Sequence, residues 1–178
     1  MTMDRSYVEL NRASTDRMRA LAARLTDEEM QQRVDEHWTV GIALAHLAFW
    51  DRRVMQILDD TERDGKLFLF EIDILVNDLS LPLWGAIPPR DAARIAIETA
   101  EALDARLEGY SPELLEEIYA YNPRWVIRAL HRNDHLDEVD AALRGIAPTR
   151  ETTSHFPEQM LYSRHEDLSR HVQPAAPA

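Results

Sequence analysis

Cysteine is absent from the 178 residues. That absence excludes disulfides, zinc–thiolate sites and a cysteine nucleophile. Any metal must be held by nitrogen and oxygen ligands, and any thiol in the chemistry must come from outside the chain. Lysine is nearly absent: Lys66 is the only one among 20 basic residues. A basic surplus is missing as well, since the net charge is −12. This argues against nucleic acid, whose phosphates need a basic face, and against anionic membrane surfaces. No apolar run approaches the roughly 18 residues that a membrane helix requires. Residues 1–11 carry acids and no apolar stretch of the kind that opens a secretory leader, so a cytoplasmic protein is expected. No serine sits in a nucleophile-elbow setting, and no glycine-rich phosphate loop is present.

What remains is helical pattern. Tyr7, Leu10, Ser14, Met18, Leu21 and Leu25 recur at three- and four-residue steps, predicting a first helix over about 4–25. Thr26 and Glu29 form a capping-box pair that starts a short turn. A second helix is expected from Thr39 as N-cap, with Ala43, Leu47, Trp50, Val54 and Ile57 on its buried arc and Gly65 as its stop. The segment 67–83 is apolar but irregular; Ile72 to Leu79 is taken as helical. A third helix follows Pro88-Pro89, buries Ala92, Ile95, Ala96, Thr99, Leu103 and Leu107, and ends at Gly109. A small element follows Ser111-Pro112. The last helix is expected to run unbroken from Asn122 and Pro123 to about Arg144. These segments predict an all-α fold over 1–147: a four-helix bundle with a long crossover connection and short accessory helices. Residues 148–178 read as an irregular tail, with a short helix over 165–172 and a disordered end.

Seven histidines are present, and three stand out. His131 and His135 are four apart on the last helix, so both rings leave one face. Ile127 and Val139 lie one turn beyond them on that face, placing it at the edge of the core. His46 lies mid-helix between Leu44 and Leu47 and shares its arc with Ala43 and Trp50, so it points toward the bundle interior. Bundles build metal sites from facing helices in this manner. Three neutral imidazoles would leave a divalent ion its full charge and an open position, the layout of catalytic zinc sites. Such a position can acidify water or take a thiolate. The residues alone also allow three hydrogen-bonded core histidines with no ion.

The stretch Trp38-Thr39-Val40-Gly41-Ile42-Ala43-Leu44-Ala45-His46-Leu47, followed by His131-x-x-x-His135-Leu136-x-Glu138, resembles the DinB-like superfamily over about residues 5–145. Within it, the chain is similar to the N-terminal domain of mycothiol-dependent maleylpyruvate isomerases. The resemblance implies a four-helix bundle with a divalent metal, zinc foremost or nickel, on His46, His131 and His135. It implies a low-molecular-weight thiol of the mycothiol or bacillithiol type as cosubstrate, a small-molecule electrophile as its target, and a homodimer. The isomerases tend to carry glutamate at the position of His131. The histidine here fits the thiol S-transferase pattern better than isomerase activity.

Four further positions are candidates around that site. Asn77 falls where the resemblance places a polar residue that orients a ligand or substrate; a helix-end asparagine is the plainer reading. Trp50 is a pocket wall or a core residue. Arg128 is a carboxylate binder or one half of a surface ion pair. Glu138, like Asp134, is an acceptor for an imidazole proton or a solvated acid. No catalytic residue is assigned. Three functions compete: a metal-dependent thiol transferase, a metal-assisted hydrolase with Glu138 as base, and a non-enzymatic metal-binding bundle that dimerises.

Overall fold

The computed structural model describes residues 5–68, 72 and 75–145. The boundary expected at 147/148, the helix expected over 165–172 and the histidines at 155, 165 and 171 lie outside the described residues. Among those described, eight helices and no strand are present: α1 (Ser6–Arg24), α2 (Asp27–Met30), α3 (Val40–Asp64), α4 (Val76–Gly85), α5 (Pro89–Gly109), α6 (Pro112–Tyr121), α7 (Pro123–Val126) and α8 (Arg128–Leu143). The fold is all-α. None of these helices is long and apolar enough to cross a membrane.

Local chemistry sets most of the boundaries. Thr26 and Glu29 form the expected capping box, with the Glu29 carboxylate reaching back to the Thr26 amide at 2.7 Å. Thr39 caps α3 by accepting from the Ile42 amide, and Gly65 ends it at φ 64°, the left-handed conformation that glycine tolerates best. Ser111 caps α6 in the same way, ahead of Pro112.

The four long helices pack as a bundle in which α5 and α8 each contact both α1 and α3. Ala92, Ala93, Ala96 and Ala100 are buried along α5, and these small side chains let α3 come close. The approach is tightest at Gly41, where a Cβ atom would lie 3.0 Å from the Pro89 Cβ.

Three expectations about elements need correction. The helix in the long α3–α5 connection is Val76–Gly85, shifted C-terminally from Ile72–Leu79. Leu75 at its N-cap and Leu79 and Leu83 within it are exposed, while Ser80 and Trp84 are buried. In α1, Leu10 is exposed and Asn11 takes the core position. The same asparagine accounts for the third difference. The last helix is not continuous: it breaks at Ile127, whose φ −88° and ψ 78° are not helical. The buried Asn11 side chain fills that break, donating to the Val126 carbonyl at 2.9 Å and accepting from the Ala129 amide at 3.0 Å. One amide side chain thus satisfies two backbone groups that helix continuation would have paired.

The core consists of two apolar clusters. One is built around Leu44, Leu47, Ala96, Leu136 and Val139, the other around Val54, Ile57, Leu103, Leu107 and Trp125. In sequence on α3, a buried polar position, Asp51, lies between them. Asp51 on α3 accepts from Arg128 Nε through one carboxylate oxygen and from Arg132 Nε through the other, both at 2.8 Å. Arg132, with no exposed surface, continues to Asp104 Oδ2 on α5 at 3.1 Å and Thr15 Oγ1 on α1 at 3.0 Å. Two carboxylates and two guanidiniums therefore balance in charge and tie together all four long helices. An ion pair this deep adds little stability over a hydrophobic replacement, but removing one partner strands a charge. Burial pushes the Asp104 carboxyl above its ordinary range, opposed by Arg132.

Candidate metal centre

His46 projects from α3, and His131 and His135 project from α8. Their rings meet: the centroids are 5.3 Å apart for His46–His131, 4.5 Å for His46–His135 and 5.0 Å for His131–His135. One nitrogen from each ring lies within 4.8 Å of the other two. Tetrahedral zinc with Zn–N bonds near 2.0–2.1 Å holds its ligand nitrogens about 3.4 Å apart, so small side-chain movements would close the triangle. His46 is buried, while His131 and His135 are partly buried.

The environments of the three rings differ. Neither nitrogen of His46 meets a partner in good hydrogen-bonding geometry among the described residues, although both are buried and the Asn77 side chain lies close enough to act on the ring. A buried polar atom left in this state costs about 1–3 kcal/mol, and an ion would meet that requirement at the nitrogen that carries the lone pair. His135 Nδ1 lies 2.9 Å from Glu138 Oε2. The carboxylate accepts, so the ring proton sits on Nδ1 and the Nε2 lone pair is free, as metal-ligating histidines require. His131 Nδ1 lies 2.9 Å from Arg128 Nη2.

Burial holds the His46 pKa well below its ordinary 6.5; nearby His135 and Arg128 add to this, and the Asn77 amide opposes it. His131 is held well below 6.5 by burial first, and then by Arg128, His135 and His46. Both rings are therefore neutral at neutral pH. Neutral imidazoles, a buried ring without a well-formed hydrogen bond and a carboxylate-oriented partner all fit a divalent metal.

Tryptophans enclose the histidines. Trp38 stacks on His135 at 5.5 Å and lies 4.5 Å from His46. Trp84 meets His46 edge-on at 5.4 Å. Trp50 is 6.0 Å from His46 and donates from Nε1 to Asn77 Oδ1 at 3.1 Å. Asn77, half-buried at the second position of α4, and Trp50 are thus joined beside the histidines. Glu138 orients His135. Asp134 turns away to Arg124, at 2.7 Å. His37 belongs to the exposed loop before α3.

Arg128 is neither a surface ion pair nor open to a substrate carboxylate. Its side chain is 4% exposed and spends its donors on Asp51, on the Arg124 carbonyl at 2.7 Å and on His131. The helix break explains this position: Arg128 is the first residue of α8 and points back under the histidines. Sequence reasoning missed Asp51, Arg132, Trp84 and Asn11. Asp51 left a signal, since it falls four residues after Leu47 and three before Val54, on the apolar arc of α3. A charge there implies a buried counter-charge on a facing helix.

Fold and site together define a class: an all-α bundle that gathers three imidazoles from two of its helices at one shielded point. Residues 10–162 match the sequence model of the DinB superfamily, and the chain belongs to that superfamily. Neither a curated protein nor a solved structure matches it.

Proposed function

We propose that the protein holds one divalent metal on His46, His131 and His135 and uses it to activate a low-molecular-weight thiol for transfer to an electrophilic small molecule. The observation that carries this reading is the His46 ring, buried without a well-formed hydrogen bond at the meeting point of two other imidazoles. Zinc suits an all-nitrogen set with an open position, and nickel suits it too. When bound, the ion would supply Lewis acidity that lowers the pKa of a thiol presented to it. The residues supply the rest. His135 is held in its ligating tautomer by Glu138. Trp38, Trp50 and Trp84 limit water around the imidazoles and strengthen charge interactions there. With no cysteine in the chain, the sulfur nucleophile is a cosubstrate of the mycothiol or bacillithiol type.

Glu138, the base that a hydrolase reading would use, is bonded through Oε2 to His135, which favours the transferase reading. The dimer reading draws on a separate observation. Leu75, Leu79 and Leu83 are 54%, 69% and 71% exposed at four-residue steps along α4, an apolar stripe suited to an interface between copies. A monomer in sedimentation velocity would remove that reading.

The test of the transferase reading is turnover of a model electrophile with mycothiol, bacillithiol or glutathione, comparing metal-loaded protein with chelator-treated protein and His46→Ala. A thiol-dependent rate confined to the loaded wild type is expected. Equal rates in all three samples would refute the proposal.

A further inference from the structure

The two histidines of α8 face opposite kinds of neighbour, and this asymmetry has a chemical meaning. A guanidinium has five N–H donors and no acceptor. Arg128 Nη2, at 2.9 Å from His131 Nδ1, therefore donates, and Nδ1 must present its lone pair. In the neutral ring the proton then sits on Nε2, the one nitrogen that Arg128 leaves for an ion. A ring in that tautomer has no lone pair at Nε2 for an ion. His135 is the reverse case: Glu138 Oε2 takes the Nδ1 proton at 2.9 Å and leaves Nε2 free.

Arg128 cannot readily turn aside. Its Nε is held by Asp51 Oδ1 at 2.8 Å and its Nη1 by the Arg124 carbonyl at 2.7 Å. Asp51 is in turn fixed by Arg132. This polar network thus extends into the histidine cluster and ends on one ring nitrogen.

We propose that Arg128 is a positioning residue that holds His131 in its non-ligating tautomer, so that His46 and His135 carry most of the metal affinity and His131 joins only when Arg128 gives up its hydrogen bond. This rests on the metal reading above. The third ligand is weak by construction, which keeps a coordination position exchangeable for an incoming thiol. Closing the set breaks one charge-assisted hydrogen bond and moves the ring proton from Nε2 to Nδ1, a loss comparable to about a tenfold change in affinity.

Cobalt(II) is the probe. The full-length, tag-free chain is titrated as wild type, R128K, H131A and H135A. Dissociation constants come from chelator competition and coordination from the visible d–d bands. Lysine keeps a positive charge for Asp51 but lacks the planar fork that spans Asp51 and His131 together. The expected result is that R128K binds cobalt about tenfold more tightly, with an altered d–d spectrum. H131A should bind at least about tenfold more tightly than H135A, which loses the carboxylate-supported ligand. If R128K does not fold by circular dichroism, the comparison of H131A with H135A decides alone. R128K binding no more tightly than wild type, or H131A costing as much as H135A, would overturn the inference while leaving the metal site intact. Wild type that binds no cobalt would overturn the metal reading first, and this inference with it.

Discussion

Acidifying the metal-free protein should destabilise it through His46, and the size of the effect follows from its burial. Above pH 6.5 the ring is neutral in both folded and unfolded chains, so its protonation has no bearing on stability. As pH falls below 6.5 the unfolded ring takes up a proton. The folded ring does not, because burial, His135 and Arg128 hold its pKa well below that value. The stabilisation is therefore present above the unfolded pKa and is lost on acidification. Between about pH 7.5 and 5.5 an unfolded imidazole gains nearly one proton, and the linkage amounts to about 1.4 kcal/mol for a ring that stays neutral when folded. His131, also depressed but only partly buried, adds in the same sense. The assay is urea unfolding in the presence of a chelator across that pH range, with His46→Gln beside wild type. The variant should lose about 1.4 kcal/mol less than wild type over the interval. Parallel pH profiles would refute the claim that the folded His46 resists protonation. Asp104, raised by burial, works in the opposite direction on further acidification, so the comparison belongs above about pH 5.5.

Other substitutions test the supports of the site. Asn11→Ala removes both bonds across the helix break and leaves the Val126 carbonyl and Ala129 amide unpaired. A loss of about 2–4 kcal/mol in urea unfolding is expected, and a loss under about 0.5 kcal/mol would contradict the bridging role. Asp51→Asn leaves Arg128 and Arg132 without their shared carboxylate, and should cost about 3–5 kcal/mol by the same measurement. Glu138→Gln should weaken metal binding about 10- to 100-fold by chelator competition with little change in urea midpoint. Unchanged affinity would mean that the carboxylate does not prepare His135.

Sequence made legible what is decided within a few residues. The Thr26–Glu29 box, the Thr39 cap, the Gly65 stop and the Ser111-Pro112 start each rest on neighbours within a turn or so, and each appears in the structure. The break at Ile127 was not legible, because the group that stabilises it is Asn11, 115 residues before the carbonyl it binds. Nothing local to Pro123–Arg144 marks that bond. The histidines were legible as a pair on one face and a third on an apolar arc, since helical spacing fixes direction. Their surroundings were not. Whether Arg128 meets solvent, substrate or His131 depends on where α8 begins, and that depends again on Asn11. The facing of the α4 segment was not legible for a different reason. Leucines spaced by four imply a shared face but not which way it points, and here the face is exposed.

The most direct test of the central claim is metal analysis of tag-free protein, wild type beside His46→Ala, by elemental mass spectrometry after gel filtration. The account predicts close to one divalent ion per chain in wild type and little in the variant, with circular dichroism showing both folded. Equal metal in the two proteins, or none in wild type after incubation with zinc or nickel, would contradict it.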